Sequence, residues 1–206
     1  PSIPNEINPF GVNFHFMRIK MAEMKQEIEM ARRIGFGWGR GMIFAMEDVS
    51  SPEEAFGHAP FKRFAARLSL VEKSGLACLG SIYCFPKWVS GAPLGSEYIV
   101  SSRVAPDNLE VIGKFCEAVA KHCAFVHYWE VGNENDAEVF WRGRWKNFLS
   151  GDDEKIIDDY VDFLAAATSG FKKGTPDAKV LFSGVTGSPT DGHTYRPFVE
   201  RAFANG

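Results

Sequence analysis

No stretch of the 206 residues stays apolar for the roughly 18 positions that a bilayer crossing needs, so no membrane-spanning helix is expected. Charge of one sign is not in excess either: 23 Lys and Arg stand against 26 Asp and Glu, mixed along the chain, for a formal net charge of -3. That balance leaves no electrostatic footprint for nucleic acid or for an anionic membrane surface, and it suits a neutral ligand. No basic segment followed by an apolar one marks a signal peptide, which leaves the compartment open. A start at Pro1 rather than Met and an abrupt stop at Gly206 read as a processed product or as an excerpt of something longer.

The four cysteines include no CxxC pair, and this excludes the common zinc and dithiol spacings. Cys116 and Cys123 fall on one expected helix, and Cys78 and Cys84 on one expected strand. Neither pair can close on itself, because a disulfide needs Cα atoms within about 7 Å. Buried free thiols are expected instead. No Ser or Cys sits in a Gly-x-Ser-x-Gly elbow and the His residues show no metal spacing, so neither acyl transfer nor metal hydrolysis is supported and no cofactor is expected. Gly35, Gly37, Gly39 and Gly41 form a Gly-rich run, but it closes a helix and enters a strand. A phosphate cradle has the opposite order, with amides at a helix N-terminus facing the anion.

What is present is a chain with 45% hydrophobic residues, enough for one domain over residues 1–206 with a sizeable core. Strand-like and helix-like patterns alternate five times. The expected strands are Phe10 to Phe16, Trp38 to Ile43, Ala77 to Cys84, Val126 to Val131 and Lys179 to Gly184. The expected helices are Met21 to Ile34, with Met21, Met24, Ile28 and Ala31 on one face, then Phe61 to Lys73, Asn108 to Cys123 capped by Asp107 or Asn108, Glu154 to Lys172, and Thr194 to Ala204. Such alternation means parallel strands joined by crossovers, either as an open doubly wound sheet or as a closed barrel. Polar and aromatic residues collect just after the C-terminal end of each strand, where barrel enzymes build their sites, and this favours a (β/α)8 barrel of which about five units are present. Aromatic residues are 14% of the chain and several fall in these loops, where flat apolar faces suit a sugar ring.

The sharpest local signal is Trp129-Glu130-Val131-Gly132-Asn133-Glu134-Asn135, in which a strand runs straight into Asn-Glu. Hydrolysis of a glycosidic bond needs an acid held at the leaving oxygen, and a second carboxylate roughly 5 to 5.5 Å away if configuration is retained. A strand end holds an acid that rigidly; a solvated turn is the alternative use of the same dipeptide.

With these residues in view, the chain resembles the clan A glycoside hydrolases, whose fourth strand ends in Asn-Glu. The nearest likeness is to family 39, the β-xylosidase and iduronidase group. Gly11-Val12-Asn13-Phe14-His15-Phe16 looks like the first strand of that family, Gly39-Arg40-Gly41-Met42-Ile43-Phe44 like its second, and Phe85-Pro86-Lys87-Trp88 like the loop after its third. The resemblance implies that Glu134 is the catalytic acid/base, that Asn133 holds the sugar 2-hydroxyl, and that Arg40 supports a nucleophile at the end of a seventh strand, beyond these five units. Gly132 and Asn135 stand where family members usually carry Trp and Pro, and Gly39-Arg40-Gly41 stands where they tend to show a His beside the Arg.

Other residues can be weighed by their chemistry. Arg40 on a barrel strand is a buried cation and needs a carboxylate, for which Glu130 and the nucleophile are both candidates; Glu130 reads first as its structural partner. His15 can donate to a sugar hydroxyl or sit satisfied in the core. Trp88 can stack on a sugar or anchor its loop on the barrel rim; Trp141 and Trp145 are weaker candidates for stacking. Glu47 and Asp48 read as part of a solvated loop. The expected function is a retaining O-glycosidase acting on a carbohydrate substrate, with the chain by itself inactive for want of its nucleophile. The alternative is a non-catalytic carbohydrate-binding or structural partial barrel.

Overall fold

The computed structural model describes residues 8–14, 20–43, 58–83, 85, 88–97, 102–186 and 195–205. Its elements are β1 (Gly11–Phe14), α1 (Met21–Ile34), β2 (Trp38–Ile43), α2 (His58–Lys73), β3 (Ala77–Ile82), α3 (Glu110–His122), β4 (Tyr128–Val131), α4 (Trp145–Ser150), α5 (Asp153–Gly174), β5 (Lys179–Leu181) and α6 (Tyr195–Asn205). The strands form one sheet in the order β1-β2-β3-β4-β5, every neighbouring pair parallel. A doubly wound sheet reverses its strand order at a switch point, whereas here each new strand adds on the same side, as in a barrel.

Register decides which side chains share a face, because strand neighbours in register point the same way. Asn13 pairs with Arg40, Arg40 with Leu79, Leu79 with Tyr128, and Ser81 with Glu130. These residues make up the inner face. The outer face carries Phe14, Gly39, Cys78, Gly80, Trp129 and Val131, and the helices cover it. Trp129 is fully buried and stacks on Phe171 of α5 with centroids 4.6 Å apart. Gly80 makes room for it, since a Cβ there would meet Trp129 Cζ3 at 2.5 Å. A Cβ on Gly39 would likewise meet Val71 Cγ1 at 2.7 Å, so close helix packing accounts for that member of the Gly-rich run. Gly35 accounts for itself as the left-handed C-cap of α1, at φ 94.

The structure adjusts several element boundaries, and the reasons are local. In α1 the buried face is Met24, Ile28 and Ala31, while Met21 in the first turn stays exposed. Of the two cap candidates for α3, Asn108 supplies the bond, its Oδ1 accepting from Glu110 N–H at 2.9 Å. β4 begins at Tyr128 because Val126 N–H is used in a turn to Cys123 O. β5 stops at Leu181 because Ser183 and Gly184 bond to groups outside the ladder. The short α4 lies inside what reads in sequence as a long aromatic loop; six residues are too few to show a period, and its Asn147 is tied by Nδ2 to Asp159 Oδ2 at 2.7 Å.

Cys78, Cys116 and Cys123 are buried free thiols; Cys84 lies outside the described residues. Burial pushes Cys78 and Cys123 up to about 12 from an ordinary 9.0, and pushes Cys116 up as well. Burial also raises the Tyr160 hydroxyl above its ordinary 10.0. A group with a raised folded-state pKa keeps a proton that the unfolded chain releases, so its stabilisation is complete below the unfolded value and is lost as pH rises past it. Unfolding free energy measured in urea should therefore hold steady up to pH 8 and fall above about pH 9. In the same samples, iodoacetamide at pH 8 should label Cys78, Cys116 and Cys123 only after denaturant is added. Rapid labelling of all three in the native chain would contradict the burial.

Among the described residues no helix is long and apolar enough to cross a membrane, and no cluster of three His, Cys, Asp or Glu could hold a metal ion.

Candidate active site

Four polar residues interrupt the apolar inner face, one on each of the first four strands: Asn13, Arg40, Ser81 and Glu130. Arg40 lies at their centre. Its Nε donates to Glu130 Oε2 at 2.5 Å, its Nη2 to Asn133 Oδ1 at 3.0 Å and to Ser81 Oγ at 3.4 Å, and its Nη1 to Asn13 Oδ1 at 3.3 Å. The two charged side chains retain 19% and 9% of their exposure, so the pair is largely withdrawn from water and holds together through charge-assisted bonds. The second carboxylate oxygen of Glu130 is also used, accepting from Gly184 N–H at 3.0 Å. Of the two partners considered for Arg40, Glu130 is the one present among the described residues.

A guanidinium can only donate. Its bond to Asn133 therefore fixes Oδ1 toward Arg40 and turns the Nδ2 hydrogens away, where they meet no partner among the described residues. Next in the chain, Glu134 is half-buried and has φ 52, the one positive φ outside glycine among the described residues. The left-handed region costs an L residue about 1–2 kcal/mol, and such outliers persist only where surrounding contacts enforce them. Here the enforcing bond runs from Glu134 N–H to Gly184 O at 2.8 Å. The Glu134 carboxylate itself makes no hydrogen bond or ion pair among the described residues. A half-buried carboxyl with free oxygens, next to an amide with free donors, can move a proton and hold a hydroxyl.

Several residues that sequence reasoning passed over hold this corner together. Tyr160 of α5 is buried, donates to Val131 O at 2.9 Å and accepts from Ser183 N–H at 2.9 Å, joining the exits of β4 and β5. Asp136 accepts from Thr186 N–H and Thr186 Oγ1 at 2.9 Å. Asn135 N–H donates to Ser183 Oγ at 3.3 Å. The signal for Asn13 and Ser81 was there to read, since a polar residue at an inner-face position of an apolar strand needs a partner. For Tyr160, Ser183 and Thr186 no sequence signal exists, because each bond joins residues on separate β/α units. Replacing Tyr160 by Phe strands one buried carbonyl and one buried amide, and should lower unfolding free energy in urea by about 1–3 kcal/mol. An unchanged urea midpoint would show that water replaces both bonds.

The remaining candidates are placed as follows. Trp88, in the loop after β3, is half-buried and packs against the hydrophobic core. Trp141 is only 3% exposed, stacks on Phe163 at 5.5 Å and donates from Nε1 to Ile156 O at 3.0 Å, so it is a core residue. Trp145 packs on Phe148 with centroids 5.6 Å apart. His15, Glu47 and Asp48 lie outside the described residues. The inner face bounds a hollow of about 560 Å³ lined by Asn13, Trp38, Arg40, Leu79, Tyr128 and Leu181. A smaller one of about 280 Å³ is lined by Asp136, Trp141, Phe148, Ile156 and Phe198, and by none of those inner-face residues.

No protein-family model matches this sequence, and no curated protein matches it. The fold does find matches. An exo-β-1,4-mannosidase from Opitutaceae bacterium strain TAV5 superposes with a TM-score of 0.60 at 16% identity, over 85% of this chain and 31% of that one. A β-galactosidase from the psychrophilic Marinomonas ef1 gives 0.59 at 16% identity, over 84% and 36%. A β-glucosidase from Thermotoga maritima gives 0.54 at 12% identity, over 77% and 36%. Across such matches this chain spans between 31% and 48% of the other chain. Likeness at this identity defines the fold: the parallel (β/α)8 barrel found in glycoside hydrolases, of which the first five β/α units are present.

Proposed function

We propose that this chain is the N-terminal part of a retaining O-glycosidase of clan A type, nearest to family 39, with Glu134 as general acid/base. The observation that carries the reading is the Glu134 carboxylate, unpartnered among the described residues, on a left-handed residue at the C-terminal end of β4, beside an Asn133 whose donors are turned away by Arg40. Turns also hold left-handed residues, so what sets this one apart from a solvated turn is the long-range bond from Arg40 to Asn133.

In the proposed reaction Glu134 donates its proton to the glycosidic oxygen as the bond to the anomeric carbon breaks, while a second carboxylate attacks that carbon. The leaving alcohol departs with the proton. Glu134, now a carboxylate, takes a proton from water as the water oxygen displaces the covalently held sugar, and both carboxyl groups return to their starting states. Asn133 Nδ2 donates to the hydroxyl next to the anomeric carbon, Arg40 keeps Asn133 in that pose, and His15 and Trp88 contact the sugar. The second carboxylate belongs to a later strand of the full-length barrel, so the 206 residues alone are expected to hydrolyse no glycoside.

The test is turnover of a panel of 4-nitrophenyl glycosides by the full-length protein, with Glu134→Gln beside wild type. Equal turnover by the two proteins removes Glu134 from the mechanism. Sugar binding with no turnover by wild type would favour the second reading, a non-catalytic carbohydrate-binding barrel.

A further inference from the structure

Gly132 and Asn135 flank the Asn133-Glu134 pair and interlock. Gly132 has φ 98, and a Cβ built on it would lie 2.1 Å from Asn135 Oδ1, 2.7 Å from Cγ and 3.0 Å from Nδ2. The Asn135 side chain thus occupies the volume that any other residue at 132 would need. It is 4% exposed, and its Oδ1 accepts from Asn133 N–H at 2.7 Å. Its own backbone N–H is tied to Ser183 Oγ, and that hydroxyl donates to Gly184 O at 2.7 Å, the same carbonyl that accepts Glu134 N–H. Every backbone amide from 133 to 135 therefore ends on Asn135 itself or on the exit of β5.

We propose that Asn135 is a positioning residue: seated in the space left by the missing side chain of Gly132, it sets the direction in which Asn133 and Glu134 present their polar groups. This rests on the reading of Glu134 as the acid/base. Asn135 touches no reacting atom in this scheme. It acts by pinning the amide of Asn133 on one side of the strained residue while Ser183 and Gly184 pin the other. Without its side chain, Asn133 keeps its bond to Arg40 but loses the one at its own amide. The left-handed φ of Glu134 then has support from the β5 side only.

Two measurements on Asn135→Ala, Gly132→Ala and the double variant test this. In the 206-residue chain, amide hydrogen exchange of Asn133 should quicken by roughly 10-fold in Asn135→Ala, as expected for one lost hydrogen bond, while the β4 amide of Trp129 keeps its protection. In the full-length protein, kcat/KM is compared for 4-nitrophenyl and 2,4-dinitrophenyl glycosides of the best-accepted sugar. The better leaving group needs little proton donation, so misplacing the acid should cost about 10- to 100-fold on the first substrate and less than about threefold on the second. A general loss of stability would lower both alike. Gly132→Ala, which pushes the Asn135 amide aside, should show the same skew, and the double variant should lose less than the product of the two single losses.

Equal losses on both substrates, no loss on either, or unaltered exchange at Asn133 would each overturn the positioning role. Glu134→Gln separates this failure from failure of the underlying reading. If Glu134→Gln shows the skew and Asn135→Ala does not, only the positioning role falls. If Glu134→Gln shows none, or wild type turns over no glycoside, the acid/base assignment falls and takes the positioning role with it.

Discussion

Replacing Glu134 by Gln in the full-length protein is expected to slow hydrolysis of a poor leaving group by about 10²- to 10⁴-fold, the usual contribution of a positioned acid or base. That range corresponds to roughly 3 to 5 kcal/mol of transition-state stabilisation. Gln keeps the size of the side chain and its left-handed backbone strain, so the loss should be chemical. The urea midpoint should move little, since the carboxylate makes no hydrogen bond or ion pair among the described residues that the variant would forfeit. With a 2,4-dinitrophenyl glycoside, bond cleavage no longer needs the proton, and the second step should limit the rate. A burst of phenolate followed by slow turnover is then the expected time course. A variant that loses stability instead of rate would mean that Glu134 has a structural task.

Removing Arg40 should be the most damaging change to the fold of the inner face. Arg40→Ala leaves Glu130 as an uncompensated carboxylate with 9% of its exposure, and breaking a buried pair in this way costs about 3–5 kcal/mol. Glu130→Ala should be similarly severe, because it strands the guanidinium and also Gly184 N–H, and with Gly184 goes part of the support for Glu134. Replacing both together, as Arg40→Met with Glu130→Leu, removes the desolvation cost along with the attraction and should recover much of the lost stability. Urea unfolding of wild type, Arg40→Met, Glu130→Leu and the double variant measures this directly. If the double variant is as unstable as the sum of the single ones, the pair is not a coupled unit. On activity the double variant should not recover, since Asn133 Oδ1 has lost the donor that orients it.

Much of this architecture was legible in advance. β2 and α1 begin and end where periodicity and Gly35 put them, because a hydrophobic period and a left-handed stop are local properties of the chain. The Asn133-Glu134 pair could be singled out for the same reason: it follows directly on a strand. The end of β5 was misjudged for the opposite reason. Ser183 and Gly184 continue the extended pattern in sequence, yet their amides go to Tyr160 and Glu130 across the fold. Trp141 read as a loop aromatic with a face to offer and turned out to be packed between Phe85, Tyr160 and Phe163, a burial set by α5 that loop composition cannot reveal.

The amino-acid order alone determined the alternation of strands and helices and the acid at a strand end, both of which depend on neighbours within a few residues. Register and long-range pairing decided the rest. Arg40 and Asn133 are 93 residues apart, Glu130 and Gly184 are 54, and Asn135 and Ser183 are 48. Alternation says that every second side chain of a strand shares a face, but only the packed sheet decides which face the helices cover and which carries the polar network around Arg40.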